Sequence, residues 1–320
     1  MAIERKVDDT SHVYLIDGSG YIFRAYHALP PLTRSDGTPV GAVQGFCNML
    51  WKLLEDLKGE EQPSHLAVIF DYSGKSFRND IYPQYKANRP EPPEDLIPQF
   101  PLVRDATRAF SVACVEEPGF EADDLIATYA SIARKAGARV TIVSSDKDLM
   151  QLVEDGAIEL LDPVKNKRIG SAEVMEKFGV PPSKVIEVQS LAGDSTDNVP
   201  GVRGIGVKTA AELINIYGDL ESLLKRAGEI KQPKRRETLI ENAQNARISK
   251  KLVTLDRAVK LRIPIDEMLA REPEPTTLIA FLKVMEFAAL TRRAASHYGI
   301  DDPDAIAPAA DPAHGAQPES

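Results

Sequence analysis

Val13-Tyr14-Leu15-Ile16-Asp17-Gly18-Ser19-Gly20 is the stretch on which the fold turns: four apolar side chains in a row, then an acid, then small residues. A strand with one wet face alternates polar and apolar residues, so an unbroken run predicts a strand covered on both faces. That is the habit of parallel sheets wrapped by helices. Comparable runs recur at Leu66-Ala67-Val68-Ile69-Phe70, Val112-Ala113-Cys114-Val115 and Val140-Thr141-Ile142-Val143, with a weaker one at Ile158-Glu159-Leu160-Leu161. Between them the spacing of apolar residues predicts helices at about 41–57, 95–110 and 122–136, the last stopped by Gly137. From about Pro181 the strand signal fades into helices joined by Gly and Pro turns, which puts a domain boundary near residue 180. An α/β domain over 13–180 followed by a mainly helical domain over 181–300 is therefore expected. Residues 1–12 and 301–320 lack apolar periodicity and are expected to be disordered ends.

The chain has 320 residues, 43% hydrophobic and 27% charged, which suits one large or two modest domains with real cores. No run approaches the roughly 20 apolar residues of a membrane helix. The expectation is a soluble, cytoplasmic protein with no membrane partner. Cys47 and Cys114 each stand in an apolar stretch and read as reduced core residues rather than a disulfide or a thiolate metal site. Forty-eight acids against 39 bases give a formal charge of −9, which ordinarily counts against nucleic acid as a partner. That inference depends on where the acids sit.

They cluster at strand ends. Asp17, Asp71 and the pair Asp146 and Asp148 each follow an apolar run, and the carboxyl ends of parallel strands share one edge, where ligands bind in α/β folds. Glu121, Asp123 and Asp124 stand where the loop after the run at 112–115 becomes a helix; capping and the helix dipole would explain them taken alone. Asp194 and Asp197, in a turn-like Gly-Asp-Ser-Thr-Asp-Asn, complete a set of nine. Nine carboxylates on one edge repel one another unless cations join them. An oxygen-only donor set without His or Cys suits Mg²⁺ or Mn²⁺, and two such ions can hold a phosphodiester, activate water and stabilise the leaving oxygen. These nine acids equal the whole formal excess of −9, so the remaining surface need not be acidic.

Basic residues follow directly. Lys75, Arg78, Lys86 and Arg89 alternate with Phe77, Tyr82 and Tyr85, a mixture suited to phosphates and an unpaired base. Gly74-Lys75-Ser76 ends like a phosphate-binding P-loop but lacks the earlier glycine at the required spacing, which rejects a nucleotide triphosphatase. Farther on, Gly201, Gly204 and Gly206 precede a helical pattern carrying Lys208 and Thr209, as in a helix-hairpin-helix that grips duplex DNA by its backbone. Residues 225–251 carry nine basic side chains against three acids.

Taken in order, Ile16-Asp17-Gly18-Ser19-Gly20-Tyr21-Ile22-Phe23-Arg24, Phe70-Asp71, Tyr85-Lys86 with Arg89, Glu121-Ala122-Asp123-Asp124, Asp146-Lys147-Asp148 and Gly193-Asp194-Ser195-Thr196-Asp197-Asn198 resemble the motifs of the 5′ to 3′ exonuclease domain of bacterial DNA polymerase I. Its relatives include phage 5′ nucleases and flap endonucleases, and the likeness runs from about residue 13 to about 295. The resemblance implies a PIN-like α/β domain with a helical arch at about 72–98 and a helix-three-turn-helix DNA-binding domain. It implies two divalent ions, with Asp17, Asp71, Glu121 and Asp123 at one, Asp146, Asp148, Asp194 and Asp197 around the other, and Asp124 nearby. Tyr85, Lys86, Arg89 and Arg24 would orient the scissile phosphate. Arg78 and the turn at 201–209 would hold DNA, with K⁺ at the helix-hairpin-helix. Ser145 departs from the usual Gly before Asp-Lys-Asp. The implied protein is a monomeric nuclease, freestanding or a portion of a polymerase, acting on 5′ flaps, nicked or gapped duplexes and RNA primer–DNA hybrids in replication and repair. Its rivals are a non-catalytic structure-specific DNA-binding protein, which has no need of all nine acids, and a PIN-type ribonuclease, which uses fewer.

Overall fold

The computed structural model describes residues 5–310. Strands β1 (His12–Asp17), β2 (His65–Ile69), β3 (Ala113–Val115), β4 (Arg139–Val143), β5 (Ile158–Asp162) and β6 (Lys167–Ile169) form one sheet in the order β3-β2-β1-β4-β5-β6. The first five are parallel, and β6 closes the edge antiparallel to β5. Every residue of β1 and β2 is buried, as the unbroken apolar runs require. β6 escapes the sequence pattern because Lys167 and Arg168 of its three residues are exposed.

The helices, in chain order, are α1 (Gly18–Ala28), α2 (Gly41–Asp56), α3 (Phe77–Ile81), α4 (Gln99–Ala109), α5 (Ala122–Lys135), α6 (Ser171–Phe178) and α7 (Val185–Ala192). Then come α8 (Val207–Tyr217), α9 (Leu220–Lys225), α10 (Pro233–Glu241), α11 (Ala243–Val253), α12 (Pro275–Val284) and α13 (Ala288–Tyr298). Alternate residues of β1 divide the core. Val13 and Leu15 belong with α5 and the helices up to α11, whereas Tyr14 and Ile16 belong with α1, α2, α4, α12 and α13.

Three expectations need correction. Helices α12 and α13, grouped by sequence with the C-terminal domain, pack through Leu278, Leu282 and Phe287 into the same core as α1 and α2. The segment at about 72–98 is not a run of arch helices: among its residues only Phe77–Ile81 is helical and the rest is mainly turns. Proline supplies the reason, since Pro83, Pro90, Pro92, Pro93 and Pro98 interrupt any longer helix. Nor are both ends loose. Val7 N–H donates to Asp266 Oδ1 at 2.9 Å, and Lys283 Nζ donates to the carbonyls of Pro303, Asp304 and Ile306. Residues 1–4 and 311–320 of the expected disordered ends lie outside the described residues. Among the described residues no helix is long and apolar enough to cross a membrane.

The order of the strands decides where a ligand goes. The connections run outward to β2 and β3 on one side of β1 and to β4 and β5 on the other, so the crevice opens beyond the carboxyl ends of β1 and β4.

Candidate metal centre and nucleic-acid interface

Asp17 ends β1 and caps α1: its Oδ1 accepts from Gly20 N–H at 2.9 Å, and its Oδ2 accepts from Ser144 Oγ, just past β4, at 2.8 Å. The adjoining Gly18 is required by space, because a Cβ there would stand 2.4 Å from Phe70 Cε1. Asp71, two residues past β2, accepts the Ala122 N–H through Oδ1 at 2.8 Å, which fixes the start of α5 against the same edge. Asp146 accepts the Asp148 N–H at 2.8 Å, and Asp148 in turn accepts from Gln189 Nε2 of α7 at 2.5 Å. Asp17, Asp71, Glu121, Asp123, Asp146, Asp148 and Asp197 line one cleft of about 190 Å³. Five separate segments thus deliver acids to one place.

The charges in this cleft are unevenly balanced. Desolvation, reinforced by Asp146 and Asp71, pushes Asp17 up to about 6; desolvation and then Asp146 push Asp148 up to about 7. Asp123 is raised well above the ordinary carboxylate range by desolvation and by four neighbouring aspartates, and desolvation also raises Asp146. Glu121 behaves oppositely. Burial opposes its charge, but Lys86, with Nζ 2.6 Å from Oε2, and Arg78 outweigh that penalty and hold its pKa below the ordinary value. Asp194 is likewise lowered, since Lys147 Nζ at 2.5 Å overcomes desolvation. Asp197 is paired with Arg89, and Lys86 Nζ stands 3.8 Å away. Lys86 adopts φ +57°, in the left-handed region that side chains seldom occupy, while its N–H donates to the Asp197 carbonyl.

Among the described residues no group of three or more His, Cys, Asp or Glu is preformed to hold a metal ion. The donor set still fits hard divalent cations: only carboxylate oxygens are offered, and the aspartates at 17, 71, 123, 146 and 148 have no ion pair among the described residues. The raised pKa values of Asp17, Asp123, Asp146 and Asp148 mark buried carboxylates whose charge the protein alone leaves uncompensated.

Two of the expected site residues are committed to each other. Asp124 is fully buried and accepts both guanidinium nitrogens of Arg78, at 2.7 and 2.8 Å, so its oxygens are committed and it is no part of the cleft lining. Arg78 borders the cleft but is 1% exposed, with its guanidinium spent on Asp124 and on the carbonyls of Leu252 and Thr254, so it is not an open DNA-facing cation. Gly201 is a third correction: it is buried, and its N–H donates to Ser249 Oγ at 2.8 Å instead of facing a phosphate. A Cβ on Gly201 would lie 2.6 Å from Gly193 N, so this glycine is demanded by the crossing of two backbones that holds the Asp194–Asp197 loop in place. Gly204, Gly206 and Lys208 are exposed ahead of or within the first turn of α8, with Thr209 half-buried beside them. Arg24 is half-buried on α1 and its Nη1 has no hydrogen-bond partner. Of the basic run at 225–251, Arg226, Arg247 and Lys250 are spent on Glu229, Glu221 and Glu187, while Lys225, Lys231, Lys234 and Lys251 are exposed without a described ion pair.

Sequence reasoning missed several supports. Ser144, Gln189 and Ser76, whose Oγ donates to Glu121 at 2.7 Å, orient the acids, and Lys147 neutralises Asp194. Lys147 carried a signal, a cation between two aspartates; Gln189 carried none, because only the packing of α7 brings it there.

A doubly wound sheet with an acid-lined crevice, flanked by basic residues and followed by a helical region with an exposed glycine turn, defines an α/β domain built for phosphate chemistry. Residues 12–179 match the 5′-3′ exonuclease N-terminal resolvase-like domain and residues 180–276 the 5′-3′ exonuclease C-terminal SAM fold. The chain belongs to the 5′-3′ exonuclease family. It is 34% identical over 280 residues to a 5′-3′ exonuclease of Aquifex aeolicus, covering 88% of this chain and 94% of that protein. It is 57% identical over 312 residues to DNA polymerase I of Rhizobium leguminosarum, covering 96% of this chain but 30% of the polymerase, so it spans about a third of that relative. The fold matches bacteriophage T5 flap endonuclease in a pseudo-enzyme–product complex with DNA and metal ions, with a TM-score of 0.62, 19% identity, and 89% and 98% of the two chains covered.

Proposed function

We propose that this chain is a divalent-metal-dependent 5′ to 3′ exonuclease and 5′ flap endonuclease. Its substrates would be DNA flaps, nicked or gapped duplexes and RNA primer–DNA hybrids, met in replication and repair. The carrying observation is the convergence of seven acids from five segments on one cleft beside Lys86 and Arg89. When bound, two Mg²⁺ or Mn²⁺ ions supply Lewis-acid activation of water and charge stabilisation at the leaving oxygen. Asp17, Asp71, Glu121 and Asp123 would hold one ion, and Asp146, Asp148, Asp194 and Asp197 would surround the other. Lys86 and Arg89, now on Glu121 and Asp197, transfer to the scissile phosphate as it arrives and offset the charge that develops there. Tyr85, whose hydroxyl donates to Glu121 Oε2 at 3.2 Å, holds Lys86 on line, and the unpartnered Arg24 Nη1 is available to the same phosphate. Water attacks phosphorus, the bond to the 3′ oxygen breaks, and no covalent enzyme intermediate forms.

Duplex DNA would lie on the other side of the junction, against the exposed turn at Gly204–Gly206, Lys208 and Thr209, and that turn would hold K⁺. Residues 13–180 carry most of the chemistry, with Asp194 and Asp197 contributed by the helical region that also carries the duplex, in a monomer that works in the cytoplasm. The likeness to DNA polymerase I supports a functional link to a polymerase. Incubating a 5′-labelled flap duplex with the chain and Mg²⁺ is expected to release the flap, and EDTA to stop it. Absent cleavage, or cleavage indifferent to EDTA, would overturn the reading.

A further inference from the structure

Arg78 is buried although Lys75, three residues before it, is exposed. All of its hydrogen bonds are internal: Nη1 and Nη2 reach the two Asp124 oxygens, Nε donates to the Leu252 carbonyl at 2.7 Å, and Nη2 also reaches the Thr254 carbonyl at 3.3 Å. Asp124 is equally committed. Beyond the guanidinium it accepts the Asp256 N–H at 2.9 Å through Oδ1 and the Glu121 N–H at 3.3 Å through Oδ2. One buried pair thereby ties three pieces of chain together: α3, at the root of the segment that carries Lys86 and Arg89; the first turn of α5, which carries Glu121 and Asp123; and the exit from α11 at 252–256. Arg78 Nη1 also lies 3.6 Å from Glu121 Oε1.

We infer that Arg78 is a positioning residue of the nuclease, acting through Asp124 to hold the Glu121–Asp123 turn and the Lys86–Arg89 segment in register with each other. The inference rests on the nuclease reading above. A bidentate fork fixes distance and orientation together, which a point charge does not, so the pair sets the direction in which Glu121 and Asp123 face the cleft. The backbone bonds to Leu252 and Thr254 add the helical region to the same frame, so the arm that holds duplex and the acids that cut are placed by one guanidinium.

The test is a double-mutant cycle on flap cleavage with Arg78→Met, Asp124→Asn and the pair. Each single variant is expected to lower kcat by about ten- to a hundredfold with KM for the flap unchanged, and the double to be no worse than the poorer single. Arg78→Lys, which keeps the charge and loses the fork, is expected to behave like Arg78→Met. A raised KM with kcat intact, rescue by Lys, or losses that multiply in the double variant would overturn the inference, because each means that Arg78 meets DNA independently of Asp124. If Arg78→Met fails to fold, Arg78→Lys replaces it in the cycle. Calorimetric titration with Mn²⁺ gives a readout free of cleavage: Arg78→Lys is expected to bind the ion about tenfold more weakly, and unchanged binding counts against positioning. Should the wild-type chain not cut at all, the nuclease reading fails, and the Mn²⁺ titration decides the positioning role by itself.

Discussion

One half of the acidic cleft is bare and the other is already neutralised. Asp17, Asp123, Asp146 and Asp148 crowd together without an ion pair and hold raised pKa values, whereas Glu121 and Asp197, with Asp194 just outside the cleft lining, are covered by Lys86, Arg89 and Lys147. The residue types are the same on both sides, so the difference is one of counter-charge. A cation entering the bare half meets uncompensated carboxylates at once. In the covered half it must displace an ammonium or guanidinium, and two of those groups, Lys86 and Arg89, are the ones that the proposed mechanism gives to the phosphate. The comparison teaches that each proposed ion site joins bare acids to covered ones, so that under the proposed mechanism metal entry would compete with the basic residues at both.

The largest effect should come from the bare half. Asp71→Ala is expected to lower flap cleavage by roughly a hundred- to a thousandfold while DNA binding is retained or improved, since a repulsion toward phosphate disappears with the acid. Cleavage rates and gel-shift affinity, measured separately, check this; loss of binding in step with cleavage would erase the distinction between the halves. In the covered half the sign reverses. Lys147→Met is expected to tighten Mn²⁺ binding by about tenfold, read by calorimetry, because Asp194 is set free.

The pH dependence sharpens the same contrast. Carboxyls raised on folding bind protons more tightly in the native state, so the stability they contribute is present below about pH 4 and is lost as pH rises through about 6 for Asp17 and about 7 for Asp148. In EDTA the melting temperature is expected to fall between about pH 5 and about pH 7, and Asp148→Asn to flatten that fall. A rise over the same window would contradict the uncompensated burial of Asp17 and Asp148. The smallest effect lies outside the cleft: Lys208→Ala should reduce the slope of log affinity against log salt by about one without changing kcat.

Much of this was legible in the sequence, for physical reasons. Strands buried on both faces must be continuously apolar, so β1, β2 and β4 announced themselves, and the acids at their ends followed from the shared edge of a parallel sheet. Elements without such a constraint stayed hidden. β6 pairs through its backbone while showing Lys167 and Arg168 to solvent, and α1 owes its start to the Asp17 cap and the absence of a Cβ on Gly18 more than to apolar spacing. The pairing of Arg78 with Asp124 joins residues 46 apart, and local sequence gave each the look of a site residue. Spacing along a helix shows which face a side chain takes, not what waits opposite it. The Asp194–Asp197 loop likewise depends on the Gly193–Gly201 crossing, a contact between backbones that no side-chain pattern records.

The most direct measurement is the number of divalent ions this chain binds, by Mn²⁺ titration with calorimetric or paramagnetic detection, for the wild type and for Asp146→Asn. Two ions per wild-type chain, with one lost or much weakened in the variant, is the expected result. No specific binding, or binding that the substitution leaves untouched, would contradict a metal centre at the carboxyl edge of the sheet.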